Sequence, residues 1–368
     1  VTPLSHLLRE RIAASGPLSV ETFIAEALGH ADFGYYRRRQ PIGRDGDFIT
    51  APEISQVFGE LIGLWAIAAW ESMGSTDPLH LVELGPGRGQ LLADALRAIG
   101  RTRPAALADL MVDLVEINPT LRERQREALA SAGLSHPPAW WESFADVPHG
   151  PFLLIANEFF DALPIRQFVR ADGAWRERMV GIDATGDGFV STSGGTADLD
   201  LPETLVDCEE GDVVELCPAA EALGAAIASR IVGDGGAALI LDYGHARPSF
   251  GDSLQAVRGH RIADPLADPG EVDLSHHVDF AALQRSAAAA GAATFGPVPQ
   301  GLFLGRLGID ARAATLAAAS PARATEIEGA VRRLVHPGRM GVLFKALAIA
   351  GPKLPPPPGF VPTSRRSA

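Results

Sequence analysis

His80-Leu81-Val82-Glu83-Leu84-Gly85-Pro86-Gly87-Arg88-Gly89 is the stretch on which the reading of this chain turns. An apolar run ends in a glycine-rich turn, and the pattern after it, Gln90 to Ile99, is helical. Glycine has no Cβ and tolerates left-handed torsions, so such a turn lets the backbone approach a ligand closely. The helix N-terminus behind it offers unpaired N–H groups to a carboxylate or another anion. Dinucleotide sites favour G-x-G-x-x-G, with room for a pyrophosphate. Here the third glycine comes one position early, and Glu83 at the head of the turn would repel phosphate. An acid in that place suits a ligand that carries positive charge and no phosphate. S-adenosylmethionine (SAM), with a sulfonium and an ammonium, is such a ligand, and Glu83, Gly85, Gly87 and Gly89 are its first candidate contacts. A tight strand-to-helix turn with no ligand is the plainer alternative, and the turn by itself leaves both open.

From His80 onward strands and helices alternate, which predicts a parallel sheet covered on both faces. Met111 to Glu116 reads as the second strand, Ala139 to Glu142 as a short third, Phe152 to Ala156 as the fourth and Ala237 to Tyr243 as the fifth. Gly341 to Ile349 reads as a late strand closing the sheet. Glu116 ends the second strand, where nucleotide-binding sheets place an acid that accepts both ribose hydroxyls. A solvated surface carboxylate is the alternative. Phe144 and Asp146, in the loop after the third strand, are candidates for holding an adenine.

Asn157-Glu158-Phe159-Phe160-Asp161-Ala162-Leu163-Pro164 follows the fourth strand directly. The carboxyl ends of strands in open parallel sheets face the ligand crevice, so Asn157, Glu158 and Asp161 are candidate catalytic residues. Two carboxylates on one turn could grip a planar guanidinium through charge-assisted hydrogen bonds. They could also localise its charge so that one nitrogen attacks, and take the proton afterwards. A helix cap with solvated acids is the alternative. Asp242-Tyr243-Gly244-His245, at the end of the fifth strand, faces the same crevice. His276-His277 lacks Cys or carboxylate partners at ligand spacing, and no metal site is expected.

Residues 1 to about 78 read as a helical cover. Ser19 can cap a helix carrying Phe23, Ile24, Ala27 and Leu28. Thr50-Ala51-Pro52-Glu53 fits a capping box, and Ile54, Val57, Phe58, Leu61, Ile62 and Trp65 follow one buried helix face. The core then spans 79–350, with insertions at about 166–212 and 245–338 that read as lids. The proline-rich tail, 351–368, is expected to be extended or disordered.

The totals set limits. Of 368 residues, 46% are hydrophobic and 21% charged, which excludes wholesale disorder. A net charge of -13 argues against nucleic acid or anionic membranes as main partners. Two cysteines, Cys208 and Cys217, make no disulfide framework and fit a reducing compartment. Leu61 to Trp70 is about half of the ~20 residues that a membrane span needs. No signal-peptide pattern stands at Val1 to Ile12, and the expectation is a cytoplasmic protein without membrane insertion.

The chain resembles the MidA-like family of SAM-dependent methyltransferases. Phe33-Gly34-Tyr35-Tyr36, Gly46-Asp47-Phe48-Ile49-Thr50, Pro52-Glu53-Ile54-Ser55, Phe58-Gly59-Glu60 and the glycine turn carry the likeness. Asn157 to Pro164, Asp242 to His245, Asp273 to Phe280 and Met340 to Lys345 complete it. The resemblance implies an α/β fold, a seven-stranded, Rossmann-like methyltransferase sheet with a helical N-terminal segment and inserted lid segments. It implies SAM as cofactor, with Thr50, Ser55 and Asn157 in its pocket, and a partner protein bearing a target arginine. Mitochondrial members of the family are arginine methyltransferases that assist assembly of respiratory complex I, so a complex I subunit is an implied substrate. One stretch departs from the family: where members often carry Gly-Thr-Leu-Gln-Cys-Tyr, this chain has Gly251-Asp252-Ser253-Leu254-Gln255-Ala256. A small-molecule methyltransferase and a SAM-binding assembly chaperone are the alternative functions. Oligomeric state is not legible.

Overall fold

A computed structural model describes residues 2–38 and 50–360, which divide into two compact units. One comprises Ile49–Phe159, Gly224–Ala246 and Leu283–Ala368, and holds the central sheet. Its strands are β1 (Leu79–Leu84), β2 (Leu110–Val115), β3 (Ala139–Trp141), β4 (Phe152–Asn157), β5 (Gly236–His245), β6 (Ala293–Pro299) and β7 (Phe344–Ala350). They lie in the order β6-β7-β5-β4-β1-β2-β3. The five strands from β5 to β3 are parallel to their neighbours, while β7 runs antiparallel to both β5 and β6. Strands such as Phe152-Leu153-Leu154-Ile155-Ala156 are buried along their whole length, as expected for a parallel sheet covered on both faces.

Three helices matter for the site: α1 (Gln56–Ser72), α2 (Gln90–Thr102) and α3 (Pro119–Leu129). The three-four pattern of α1 is realised, with Val57, Phe58, Leu61, Ile62 and Trp65 all buried in the main apolar cluster. Gly59 and Gly63 let α1 press on α2; a Cβ at Gly63 would lie 2.5 Å from the Ala95 carbonyl oxygen. The capping box expected at Thr50 does not form. Thr50 makes no side-chain cap, and the chain runs through a four-residue helix, Ala51–Ile54. Ser55 then caps α1 through Val57 N (3.3 Å). Pro52, which has no N–H to donate, suits the first turn of that short helix.

Polar groups tie neighbouring strands of the sheet together around Asp113. His80 Nδ1 lies 2.7 Å from Asp113 Oδ2, and Trp141 Nε1 donates to Asp113 Oδ1 (2.7 Å). Replacing Asp113 with alanine strands a buried imidazole and a half-buried indole. It should therefore lower unfolding stability by about 3 kcal/mol in a urea melt, with cofactor affinity unchanged.

The other unit comprises Val1–Phe48, Phe160–Leu223 and Arg247–Ala282. Helices Pro3–Ser15 and Val20–Gly29, the second capped by Ser19 (Thr22 N to Oγ, 3.0 Å), bury Leu4, Leu8, Phe23 and Ile24 in its core. Strands Arg166–Ala171, Ala174–Ile182, Phe189–Ala197 and Val213–Leu216 lie antiparallel in its sheet.

These groupings differ from the linear division expected above. Residues 50–78 pack with the sheet because α1 buries its face on α2. Residues from Leu283 also join it, since Ala293–Pro299 supplies an edge strand. Pro297 and Pro299 mask that strand in the sequence, because proline cannot donate to a ladder and is tolerated only at edges and bulges. At the C-terminal end, Phe360 packs on Phe303 with ring centroids 5.3 Å apart, so the described part of the proline-rich tail is anchored. Residues 361–368, and the motif residues Gly46, Asp47, Phe48 and Ile49, lie outside the described residues. Among the described residues no helix is long and apolar enough to cross a membrane.

Candidate functional site

The order of the sheet reverses between β1 and β4, since β2 and β3 continue on one side and β5 on the other. Crevices at such switch points, beyond the carboxyl ends of the strands, are where open α/β sheets bind ligands. The glycine turn leaves β1 at this point, Glu116 leaves β2 and Asn157-Glu158 leaves β4.

Gly85, Gly87 and Gly89 have φ of +59°, +54° and +80°, left-handed values that a side chain would strain. A Cβ at Gly85 would stand 2.8 Å from the Phe159 ring. At Gly89 it would meet Gln125 Cα at 3.3 Å and Ala128 Cβ at 3.4 Å, so the approach of α3 leaves little room for a side chain there. The turn therefore reaches the crevice as bare backbone, with α2 beginning at Gln90.

Two acids stand below it. Glu83 is fully buried, and its Oε2 has no hydrogen-bond partner among the described residues. Burial first, then the charge of Glu116, push Glu83 up to about 8. Glu116 is buried too. Its Oε1 accepts from Asn118 N (2.8 Å) and its Oε2 from Gln125 Nε2 (3.1 Å). Burial raises its pKa, against the lowering effect of those bonds. An orphaned acid beside a bare-backbone turn fits a cationic, phosphate-free ligand.

A testable consequence follows for pH. The folded state holds a proton on Glu83 between roughly pH 4.5 and about 8, whereas the unfolded chain has lost it. Stability from this group is full below the lower value and falls as pH rises through the window. A bound cation favours the ionised form, so its binding tightens toward pH 8 with release of a proton. Glu83→Gln should therefore be more stable than the parent at pH 8 in a thermal melt, yet bind S-adenosylhomocysteine or SAM at least about tenfold more weakly. Calorimetry in two buffers of different ionisation enthalpy should show proton release on SAM binding by the parent only.

Glu158 has a left-handed φ of +52°, unusual for a residue with a side chain. Its N–H donates to Leu241 O (2.8 Å), while Oε1 accepts from Ala51 N (2.9 Å) and Asn157 Nδ2 (3.2 Å). Such outliers persist only where the surroundings over-determine them, and they cluster at active sites. The surroundings here include Asp242, which is fully buried at the end of β5 and accepts from Phe159 N (3.2 Å) and Tyr243 N (2.9 Å).

The remaining candidates separate. Phe144 packs against Phe152 at the start of β4, with ring centroids 5.8 Å apart, and lies under the Arg230 guanidinium. That is the amino-terminal edge of the strand, away from Asn157. Asp146 is exposed and closes a capping box on Ser143, accepting from its N (3.1 Å) and Oγ (2.9 Å). Both have structural duties, because the loop after β3 has already turned back toward the start of β4. Thr50 is buried, and the Ser55 hydroxyl serves α1. Asp161 belongs to the other unit, where its carbonyl accepts from His276 N (3.0 Å). In that unit Tyr36 donates to Asp273 (2.7 Å), and burial, Asp273 and Asp161 hold its phenol well above the ordinary value.

Sequence reasoning missed Gln125. It lies on the apolar face of α3, four residues from both Leu121 and Leu129, and a polar side chain in that row was the available signal.

Comparison with known proteins gives the family. The Methyltransf_28 model, of S-adenosyl-L-methionine-dependent methyltransferases, matches residues 61–298. The mitochondrial protein arginine methyltransferase NDUFAF7 of Danio rerio is 38% identical, over 94% of this chain and 86% of its own. That of Homo sapiens is 35% identical, over 95% and 83%. A crystal structure of a COG1565 superfamily member from Burkholderia thailandensis, bound to S-adenosyl-homocysteine, matches with a TM-score of 0.83 and 27% identity. It covers 97% of this chain and 93% of that one. With well over half of its length matched by the family model and relatives of this identity along nearly all of it, the chain belongs to the MidA-like, Methyltransf_28 family of SAM-dependent methyltransferases.

Proposed function

We propose that this enzyme methylates an arginine side chain of a partner protein, with Glu158 as the carboxylate that receives the guanidinium. The observation that carries the reading is Glu158 itself. It is an acid held in a strained conformation at the carboxyl end of β4, one residue from the Phe159 ring that touches the glycine turn. The arginine methyltransferase names of the NDUFAF7 relatives support the same substrate class.

In this reading Glu116 accepts the ribose hydroxyls, the Gly85–Gly89 backbone faces the amino-acid end of the cofactor, and Glu83 balances its ammonium. Thr50 and Asn157 border the pocket. When bound, the cofactor supplies an electrophilic methyl group on a sulfonium. Glu158 holds the guanidinium by hydrogen bonds, orients one nitrogen for in-line attack and keeps positive charge on the others. The same carboxylate is placed to take the proton released by that nitrogen. Asn157 donates to Glu158 Oε1 and fixes its rotamer. A respiratory complex I subunit is the first substrate to try.

Radiolabelled methyl transfer to purified respiratory subunits, followed by hydrolysis and mass spectrometry, tests the proposal. Label on arginine nitrogens is the expected result. Label confined to lysines, carboxylates or small molecules would overturn it.

A further inference from the structure

Gln125 is wholly buried, and every polar atom of its side chain is engaged. Nε2 donates to Gly87 O of the glycine turn (2.7 Å) and to Glu116 Oε2 (3.1 Å), while Oε1 accepts from Trp140 Nε1 (2.8 Å). A single amide thus joins the turn after β1, the acid after β2 and the indole on β3. Its Cα is also the atom that a Cβ at Gly89 would press upon. Arg122, one turn earlier on α3, donates through Nε to Glu116 O (2.8 Å), so the same helix holds the backbone and the carboxylate of that residue.

We propose that Gln125 is a positioning residue for the cofactor: it locks the Glu116 carboxylate in register with the glycine turn, so that ribose and amino-acid ends are read as one ligand. A buried amide suits this work. It donates to a carbonyl and a carboxylate at once, and it is neutral, so it leaves the charge of Glu116 available to a hydroxyl. Leucine or methionine would fill the space, but Glu116 would keep its Oε1 bond to Asn118 N and lose the Gln125 bond that sets Oε2, and the Gly87 carbonyl and the Trp140 indole would lose their Gln125 partner. The inference rests on the proposed role of Glu116 as ribose acceptor and goes beyond it by naming what aims that acceptor.

The experiment is calorimetric titration of the full chain with S-adenosylhomocysteine and with its 2′,3′-dideoxy analogue, for the parent, Gln125→Met and Glu116→Gln. In the parent, loss of both hydroxyls should weaken binding about a hundredfold. Gln125→Met should bind S-adenosylhomocysteine at least about tenfold more weakly, while its dideoxy penalty shrinks to about threefold or less. Its kcat at saturating SAM should stay within about twofold of the parent, since Gln125 touches no reacting atom. If Gln125→Met does not fold, Gln125→Leu, which likewise has no donor for Glu116, gives the same readout. A folded variant that keeps the full dideoxy penalty overturns the proposal for Gln125 alone, provided that Glu116→Gln abolishes the penalty. A Glu116→Gln protein that also retains the penalty overturns the ribose assignment, and the role of Gln125 with it.

Discussion

Glu158→Gln is expected to lower methyl transfer about a hundredfold or more while leaving the affinity for S-adenosylhomocysteine within about threefold. Glutamine keeps the shape of the side chain and an oxygen that can accept from Ala51 N, so the tie to the Ala51–Ile54 segment survives. What it loses is the charge that holds the guanidinium and the base that takes its proton. Removing one preorganised electrostatic contact commonly costs two to three orders of magnitude, about 3–4 kcal/mol of barrier. Single-turnover rates at saturating peptide, set beside calorimetry with the demethylated cofactor, separate the two quantities. Parallel losses in both would mean that Glu158 serves the cofactor instead of the substrate. Unchanged transfer would remove it from the chemistry.

Gly85→Ala should have the second large effect, on the cofactor. The new methyl group would have to stand 2.8 Å from the Phe159 ring at a φ of +59°, so the ring or the turn must move. Asp242, itself fully buried, holds the Phe159 N–H, so the backbone that carries the half-buried ring is tied and the ring would have to turn. The left-handed conformation alone costs about 1–2 kcal/mol with a Cβ present. Affinity for S-adenosylhomocysteine should fall at least about thirtyfold by calorimetry, with a lower melting temperature. Gly89→Ala should be milder, because its contacts with α3 would begin at 3.3 Å. Parent-like affinity in Gly85→Ala would place the cofactor away from this turn.

What could be read from the chain alone was mostly local. The run from His80 to Gly89 combines an apolar strand, left-handed turn residues and a helix start within ten positions, and each of them appears. Phe152 to Asn157 is apolar enough to be a buried strand in almost any context. What escaped depends on contacts distant in sequence. Gln125 acquires its meaning only when α3 lies against a turn 38 residues earlier. The bond between Glu158 and Ala51 spans 107 positions, and no spacing rule connects them. Phe144 misled because aromatic character says nothing about which edge of a sheet a returning loop has reached. The strand Ala293–Pro299 was hidden by prolines that an edge position tolerates.

A crystal structure of the full chain with S-adenosylhomocysteine and an arginine peptide tests the central assignment most directly. The ribose hydroxyls should bond Glu116, the homocysteine portion should rest on the Gly85–Gly89 backbone, and the guanidinium should lie within 3.2 Å of Glu158. A nucleoside seated elsewhere on the sheet, or a guanidinium bound well away from Glu158, would contradict the account.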